Sequence, residues 1–192
     1  MSPGTCYLYV LPLAGEDLLK IGIASDPLAR AQAFSRRYYE SFDLSRSLLV
    51  EFDSRREAQA RETGLHRRLR EWNAPQPITV PLRAAGRTEW YRGAYAELEA
   101  EVAADRARGH VVHQATLDWW RHRLQRERDT LYEWAAQLQR DVEDGYGSPE
   151  RMQLLADALD AWPGMGLPLH DALPPELKRW YARYRAGWRT GL

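Results

Sequence analysis

The chain is poor in cysteine, and this scarcity limits its chemistry. Its single cysteine, Cys6, excludes an intramolecular disulfide and a cysteine-rich zinc site. A lone cysteine beside apolar residues is more often a small core side chain than a nucleophile. We therefore predict that Cys6 is a core residue of the first strand.

Long apolar runs and an excess of charge of one sign are also missing. No run approaches the roughly 20 apolar residues of a membrane-spanning helix, and no signal peptide precedes the first predicted strand. The sequence therefore predicts a cytoplasmic protein without a membrane partner. The 27 basic and 27 acidic residues give zero formal net charge, so the chain as a whole does not attract nucleic acid.

Lysine is scarce among the basic residues. Only Lys20 and Lys178 are lysines, and Lys20 interrupts an apolar run. An ammonium is a compact charge whose pKa shifts on burial, unlike that of a guanidinium. Two interpretations are open: Lys20 is a functional amine, or it is a strand lysine whose stem extends to water.

Residues 7–30 carry the most informative pattern. Two apolar runs, residues 7–11 and 18–23, flank the polar residues 14–17, which predicts a β-hairpin. Ser25-Asp26-Pro27 predicts the start of a helix, because a capping side chain precedes a proline. Three polar residues stand out against this apolar background: Tyr9, Lys20 and Arg30.

A third strand and a long helix follow. The strand is predicted within residues 44–52, and Asp53-Ser54 with Glu57 predicts a capped helix that continues to about Glu71. Glu62 and His66 are four residues apart and share one face of that helix. Glu62 is either an exposed carboxylate among arginines or a buried one that needs a partner or a metal.

His66 has three interpretations: a phosphate contact, a group that orients water, or a structural helix histidine. A metal pair with Glu62 fits the spacing, but two ligands are too few to indicate zinc. Arginine side chains match phosphate oxygens, and tyrosines stack on bases; the alternative is a solvated arginine face with tyrosines packed on the sheet. The candidate phosphate or DNA contacts are Tyr7, Arg36, Arg37, His66 and Arg67.

The motifs of residues 5–100 together resemble the GIY-YIG nuclease superfamily. Tyr7-Leu8-Tyr9, Lys20-Ile21-Gly22 and Arg30 are similar to its first two motifs and its helix arginine, and most similar to a phage- and prophage-associated branch with KIG in the second motif. Glu62 to His66 and Glu89-Trp90-Tyr91 resemble the later motifs of that branch. Tyr7 replaces the usual glycine, and Lys20 replaces the tyrosine of many members.

The resemblance implies a single active site that hydrolyses phosphodiester bonds in DNA with Mg²⁺ or Mn²⁺ as cofactor. It implies four catalytic residues, Tyr9, Lys20, Arg30 and Glu62, with Glu62 as the metal ligand. In this chemistry Arg30 would bind a non-bridging phosphate oxygen, and Tyr9 would orient or deprotonate the attacking water. Lys20 would either favour the Tyr9 phenolate or contact phosphate.

From Arg108-Gly109-His110 onward the pattern changes to helices alone. We predict a GIY-YIG-like domain over residues 1–108 and a tryptophan-rich helical domain over residues 109–192. The fold class is α+β, with a small antiparallel or mixed sheet flanked by helices and followed by an all-α half. The predicted helices of this half cover about residues 116–143, residues 148–164, and a last segment from about residue 173.

The second half concentrates the tryptophans. Six of the eight lie there: Trp119, Trp120, Trp134, Trp162, Trp180 and Trp188. With the arginines of the last helix they could bind nucleic acid, or they fill a small helical core. This half is also a candidate surface for a homodimer or a protein partner.

Three functions are consistent with these patterns. The first is a metal-dependent DNA endonuclease. The alternative is a non-catalytic nucleic-acid-binding or protein-binding module on the same scaffold, which the zero net charge and the missing second tyrosine favour. The third is an interaction protein that uses the tryptophan-rich half.

Overall fold

The protein folds as two compact units, Met1–Trp120 and Arg121–Leu192. The computed structural model describes residues 4–81, 88–114, 116–169 and 173–189. The strands are β1 (Cys6–Pro12), β2 (Leu18–Ala24), β3 (Leu48–Phe52), β4 (Asn73–Ala74), β5 (Trp90–Arg92) and β6 (Val112–Gln114). The helices are α1 (Pro27–Phe34), α2 (Tyr38–Ser41), α3 (Arg55–Arg68), α4 (Tyr95–Ala107), α5 (Leu117–Gln125), α6 (Arg128–Glu143), α7 (Pro149–Gly164) and α8 (Pro175–Arg189), with a 3₁₀ turn at Arg70–Trp72.

The first unit is built on one sheet. In the described residues its strand order is β4-β5-β2-β1-β3-β6, and every neighbouring pair is antiparallel. The hairpin predicted from residues 7–23 is β1–β2, and Tyr9 lies opposite Gly22 in its register. The predicted α+β class is therefore confirmed, with an antiparallel rather than a mixed sheet.

Both faces of the sheet are covered. Alternate residues of β1 point to opposite faces, and Cys6, Leu8 and Val10 belong to the core that also contains buried residues of α3 and α4. Cys6 is a core residue, as predicted. On the other face the ring of Tyr9 meets Phe34 of α1 edge to face, at 6.5 Å between centroids.

The helices begin where the capping residues predict. The carboxylate of Asp26 accepts hydrogen bonds from the backbone N–H groups of Leu28 and Ala29, and Pro27 is the first residue of α1. Ser54 caps α3 by accepting from the N–H of Glu57. The helix ends at Arg68 rather than at the predicted Glu71, because the chain tightens into the 3₁₀ turn.

The edge of β2 is only partly paired. Strand β5 pairs with Leu18, Leu19 and Lys20, and the N–H of Ile21 donates to the carbonyl of Glu89 at 3.1 Å. Within the described residues, no strand pairs with Gly22–Ala24 on that side. Among the described residues, the ladder between β2 and β5 therefore ends close to the position of Tyr9.

The two units meet in sequence after Trp120, not at the predicted Arg108-Gly109 boundary. Residues 112–114 are not part of a helical half, because they form β6 and pair with β3. The indole N–H of Trp120 also donates to the hydroxyl of Ser47 at 2.8 Å. The sequence pattern missed β6 because a three-residue edge strand is too short to show alternation.

The predicted helix over residues 116–143 is wrong, because the structure divides it into α5 and α6. Six consecutive residues from Gln125 to Thr130 are polar, so the apolar stripe that would hold a continuous helix is interrupted there. The N–H of Glu127 bonds to the carbonyl of Leu124, which tightens the chain into a turn. Helix α7 matches the predicted residues 148–164.

The second unit packs aromatic and polar side chains between its helices. Trp162 is buried, and the ring of Trp180 stacks on Tyr184 of the same helix. In α8, Tyr181 and Arg185 both bind the buried carboxylate of Asp160 in α7. These contacts favour the packing interpretation of the tryptophans; the side chains of Trp188 and Arg189 lie outside the described part of the chain.

No helix in the described part of the chain is both long enough and apolar enough to cross a bilayer. The cytoplasmic location stays a prediction, as does a homodimer or a protein partner at the helical half.

The close approach of Tyr9 to Gly22 gives the first test. A Cβ atom at Gly22 would overlap the Oη and Cζ atoms of Tyr9, so we expect Gly22→Ala to lower the free energy of unfolding by about 1–3 kcal/mol. Urea denaturation measures this change.

Gly64→Ala is the matched control, because Gly64 lies inside α3 and a Cβ there meets nothing within 4 Å. Alanine favours a helix over glycine by up to about 1 kcal/mol, so this variant should be as stable as the wild type or more stable. Equal effects at the two sites would contradict the assigned packing of Tyr9.

Candidate functional site

Tyr9 lies at the floor of a cleft and is held by two neighbours. Its ring covers Gly22, and its hydroxyl oxygen accepts a hydrogen bond from Arg30 Nε at 3.4 Å. Burial raises the pKa of Tyr9 to about 12, against the opposing effect of Arg30. The phenol is therefore protonated at neutral pH.

Arg30 is positioned by an aromatic ring. Its guanidinium carbon lies 4.4 Å from the centroid of Phe34, one turn further along α1, a distance typical of a cation–π contact. The side chain is half-buried and makes no ion pair with a described residue. It is thus both fixed in place and able to bind an anion.

Lys20 is fully buried, with 0% of its surface exposed. Its ammonium donates to the carbonyl of Ile21 at 2.8 Å and forms an ion pair with Glu89. Burial lowers the pKa of Lys20 to about 8, while Glu89 opposes that shift. The interpretation that its stem extends to water is therefore wrong, because the side chain lies inside the protein.

The Lys20 ammonium is committed to Glu89 rather than to Tyr9. The expectation that it favours the Tyr9 phenolate fails, because burial dominates and raises the pKa of that phenol. Glu89 precedes β5 and is half-buried. The Glu89 carboxylate reaches Lys20 on the face of the sheet that α1 covers. The backbone of Glu89 lies beside β2, where its carbonyl accepts a hydrogen bond from the N–H of Ile21.

Glu62 is buried, with 6% of its surface exposed. One carboxylate oxygen accepts a hydrogen bond from Gln59 Nε2 at 2.6 Å, and the other lies 3.8 Å from His66 Nε2. The interpretation of Glu62 as a surface carboxylate is therefore wrong. Because helix α3 presents Ala58, Glu62 and Leu65 to the protein interior, this carboxylate lies on its buried side.

His66 is fixed by an aromatic partner. Its Nδ1 atom is 2.6 Å from Tyr91 Oη, and the two rings stack with centroids 5.8 Å apart. Burial raises the pKa of Tyr91 to about 12, which keeps this phenol neutral. His66 Nε2 is shielded from solvent and has no hydrogen-bond partner among the described residues.

Tyr9, Arg30, Glu62 and Glu89 line one cleft of about 580 Å³, and His66 lines a smaller cleft that shares Glu89 with it. Tyr9 and Arg30 approach from the α1 face, Glu62 approaches from α3, and Glu89 comes from the edge beside β5. Lys20 lies beneath, through its contact with Glu89. The structure thus brings the four residues singled out by the sequence, Tyr9, Lys20, Arg30 and Glu62, to a single place.

The other predicted contacts separate into two groups. Tyr7 is buried against Trp119, at 5.5 Å between ring centroids, and Arg37 forms an ion pair with Glu40. Tyr7 is therefore not available to a phosphate in this conformation, whereas Arg37 would have to exchange Glu40 for one. Arg36 and Arg67 are exposed and make no ion pair with a described residue.

The basic face of α3 is only partly free. Arg61 forms ion pairs with Glu101 and Asp105, and Arg68 forms ion pairs with Glu97 and Glu101, so both arginines fasten α3 to α4. Arg55 is exposed and lines the cleft with Glu62. Some arginines of α3 therefore bind acidic residues of α4, whereas Arg55 lines the cleft, and the sequence pattern alone does not tell these two groups apart.

Glu89 is the site residue that sequence reasoning missed. A buried lysine requires a carboxylate, but the partner lies 69 residues away along the chain. The available signal was the position of Glu89 at the head of the Glu89-Trp90-Tyr91 motif.

Residues 5–106 match the T5orf172 domain, which covers more than half of the chain. The chain therefore belongs to the T5orf172 domain family, a phage-associated domain related to nuclease-type domains. Searches of curated proteins and of solved structures found no match.

The elevated pKa of Tyr9 predicts a specific dependence of stability on pH. The unfolded chain releases this phenolic proton near pH 10 and the folded protein near pH 12. The folded state therefore holds more protons in that window, and its stability falls as the pH rises. Relative to Tyr9→Phe, the wild type should lose about 1 kcal/mol of unfolding free energy between pH 9 and pH 11.

Urea denaturation at the two pH values measures this difference. Tyr146→Phe is the control, because Tyr146 is exposed and its phenol meets water in the folded and unfolded chain alike. A stability difference for Tyr9→Phe that does not change with pH would contradict the burial of the Tyr9 phenol.

Proposed function

We propose that this protein is a metal-dependent endonuclease that hydrolyses phosphodiester bonds in DNA, with a GIY-YIG-type active site. The observation that carries the proposal is the convergence of Tyr9, Arg30, Glu62 and Glu89 on one cleft of a T5orf172 domain. A phenol, a guanidinium and carboxylates around a space open to solvent suit phosphoryl transfer, in which positioning and charge stabilisation provide most of the catalysis.

Residues in and beside the cleft fit a divalent cation, Mg²⁺ or Mn²⁺. Glu62 offers a buried carboxylate, and Glu89 and His66 each bring a ligand atom to within 4.8 Å of it and of each other. A bound ion would polarise the phosphoryl oxygen and make the attacking water more acidic. Glu62 is the ligand that we assign to it first.

Arg30 stabilises charge on the phosphate. Its Nε–H donates a hydrogen bond to Tyr9, and the ring of Phe34 holds the guanidinium group in place. The remaining guanidinium N–H groups can therefore donate to a non-bridging oxygen. Because these donors are already oriented, little reorganisation is needed as negative charge develops.

Tyr9 orients the attacking water rather than deprotonating it. A phenol with a pKa of about 12 is almost entirely protonated at neutral pH and is therefore a poor base before substrate binds. Its hydroxyl can still hold a water by a hydrogen bond while accepting one from Arg30. Lys20 acts indirectly, as a positioning residue whose ion pair holds the Glu89 carboxylate at the cleft.

DNA would follow the length of α3. The main cleft contains Arg55, and a smaller one beside it contains Arg70; Glu89 lines both. Arg55 is the first residue of α3, and Arg70 is the first residue of the 3₁₀ turn that follows it. The helix is roughly 20 Å long, which matches about six nucleotides of one strand. Both arginines are exposed and make no ion pair with a described residue.

A non-catalytic nucleic-acid-binding module remains the second candidate. The protonated phenol of Tyr9 and the engagement of Lys20 with Glu89 favour it, because both reduce the basic groups available for catalysis. It requires the same arginines and predicts DNA binding without nicking.

Cleavage assays on supercoiled plasmid with Mg²⁺ or Mn²⁺ test the nuclease. We expect Glu62→Gln to abolish nicking, because it removes the buried charge that would hold the cation. Arg30→Ala should lower the rate by about 10²–10³-fold, the effect of losing one preorganised donor. Both variants should keep the wild-type circular dichroism spectrum.

Two exposed positions provide matched controls. Glu99→Gln removes a carboxylate from the outer surface of α4, and Arg126→Ala removes an arginine from the turn between α5 and α6. Both should nick at the wild-type rate. Equal activity of wild type and Glu62→Gln would reject the proposed site, and wild-type protein that binds DNA without nicking would support the binding module.

The proposed DNA path predicts a change in salt dependence. Removal of an arginine that contacts phosphate lowers the slope of log affinity against log salt by about one. We expect this decrease for Arg55→Ala and for Arg70→Ala, with no change for Arg126→Ala. Fluorescence anisotropy with a labelled oligonucleotide at several salt concentrations measures it, and unchanged slopes for both variants would exclude this path.

A further inference from the structure

We propose that Glu62, His66 and Glu89 together form one metal site, and that its imidazole ligand favours a later transition-metal ion such as Co²⁺ or Zn²⁺ over Mg²⁺. This inference deepens the proposed function by adding two ligands and a preference for the type of ion. It concerns binding, so it can be tested without cleavage.

The distances bring the three side chains close to coordination. Ligand atoms of Glu62, His66 and Glu89 lie within 4.8 Å of one another. An ion at about 2.1 Å from tetrahedral ligands separates them by about 3.4 Å. The three atoms are thus within about 1.5 Å of a coordinating arrangement, which side-chain rotation can supply.

The unpartnered nitrogen of His66 is the second observation. Its Nε2 atom is shielded from solvent, lacks a hydrogen bond to any described residue and lies 3.8 Å from the Glu62 carboxylate. A buried polar atom without a partner is costly in a folded protein. A metal ion at this position would satisfy the nitrogen and the carboxylate together.

The neighbours of the ligands are those that a metal site requires. His66 Nδ1 lies at hydrogen-bond distance from Tyr91 Oη; a proton on Nδ1, donated to that oxygen, leaves the Nε2 lone pair toward Glu62. Lys20 binds one oxygen of Glu89, and its other oxygen has no partner among the described residues. Gln59 likewise orients Glu62. Such outer contacts fix the direction of ligands and raise metal affinity.

The ligand chemistry decides which ion fits. Mg²⁺ prefers oxygen ligands and retains several waters, whereas imidazole suits Zn²⁺, and the affinity of a nitrogen ligand rises along the first transition row from Mn²⁺ to Co²⁺. With three protein ligands the remaining coordination positions stay open for water or a phosphate oxygen. This is the pattern of a catalytic site rather than of a closed structural one.

Co²⁺ titration followed by visible absorption tests the site, because the spectrum reports the ligands directly. We expect one Co²⁺ per chain, with a spectrum that Zn²⁺ abolishes by competition. His66→Gln should weaken Co²⁺ binding by at least about 100-fold and change the spectrum, whereas the weak binding of Mg²⁺ should change little. Tyr91→Phe, which removes only the outer hydrogen bond, should weaken Co²⁺ binding by about 10-fold.

His122→Gln is the matched control, because His122 is exposed in α5 and should leave binding and spectrum unchanged. Amide NMR spectra of each variant establish that the fold is retained. Unchanged Co²⁺ affinity and spectrum in folded His66→Gln would overturn the three-ligand site, even if nicking persists. Co²⁺ binding that requires His66, in a protein that never nicks DNA, would support the site and reject only the nuclease.

Discussion

A buried ammonium must be paired, and Lys20 meets this requirement with the carboxylate of Glu89. An unpaired charge at this depth would cost several kcal/mol. The ion pair forms beside the Lys20–Trp90 pair of the sheet ladder, so charge and backbone hydrogen bonds fix the start of β5 together. Because β5 begins there, no strand in the described part of the chain pairs with β2 beyond Ile21 on that side, and the cleft lies at this edge.

The cleft draws on both faces of the sheet. Tyr9 and Arg30 lie on the face of the sheet that α1 covers, where both contact Phe34, whereas Glu62 and His66 belong to α3 on the opposite face. They meet beside Gly22 and Ile23, where no described residue of β5 pairs with β2. The same packing that stabilises the unit thus sets the distances in the site, and Gly22 is part of it because any side chain there would displace Tyr9.

The sequence predicted the features that depend on residues close together in the chain. The β1–β2 hairpin and the caps at Asp26 and Ser54 follow from spacing and side-chain chemistry. Spacing alone left two positions open for Glu62, exposed or buried, and the structure shows the buried one. The partner of Lys20 does not, because it lies 69 residues away and depends on the register of β5. Strand β6 and the interruption between α5 and α6 were missed for a related reason: three residues are too few for a period, and a polar run can look like a solvated helix.

The charges of the cleft explain why a cation matters to the proposed chemistry. Its lining contains three carboxylates, those of Asp26, Glu62 and Glu89. Arg30 and Arg55 lie beside them and Lys20 lies beneath, so at neutral pH the opposing charges balance. A phosphodiester would enter a site without net positive charge, next to carboxylates that repel it. A bound divalent ion would make the site net positive where the scissile phosphate lies. It would pair with Glu62 and leave Arg30 free to bind the phosphate. Metal binding and DNA binding should therefore reinforce each other, because the cation supplies positive charge for the phosphate and the phosphate supplies a negatively charged ligand for the cation.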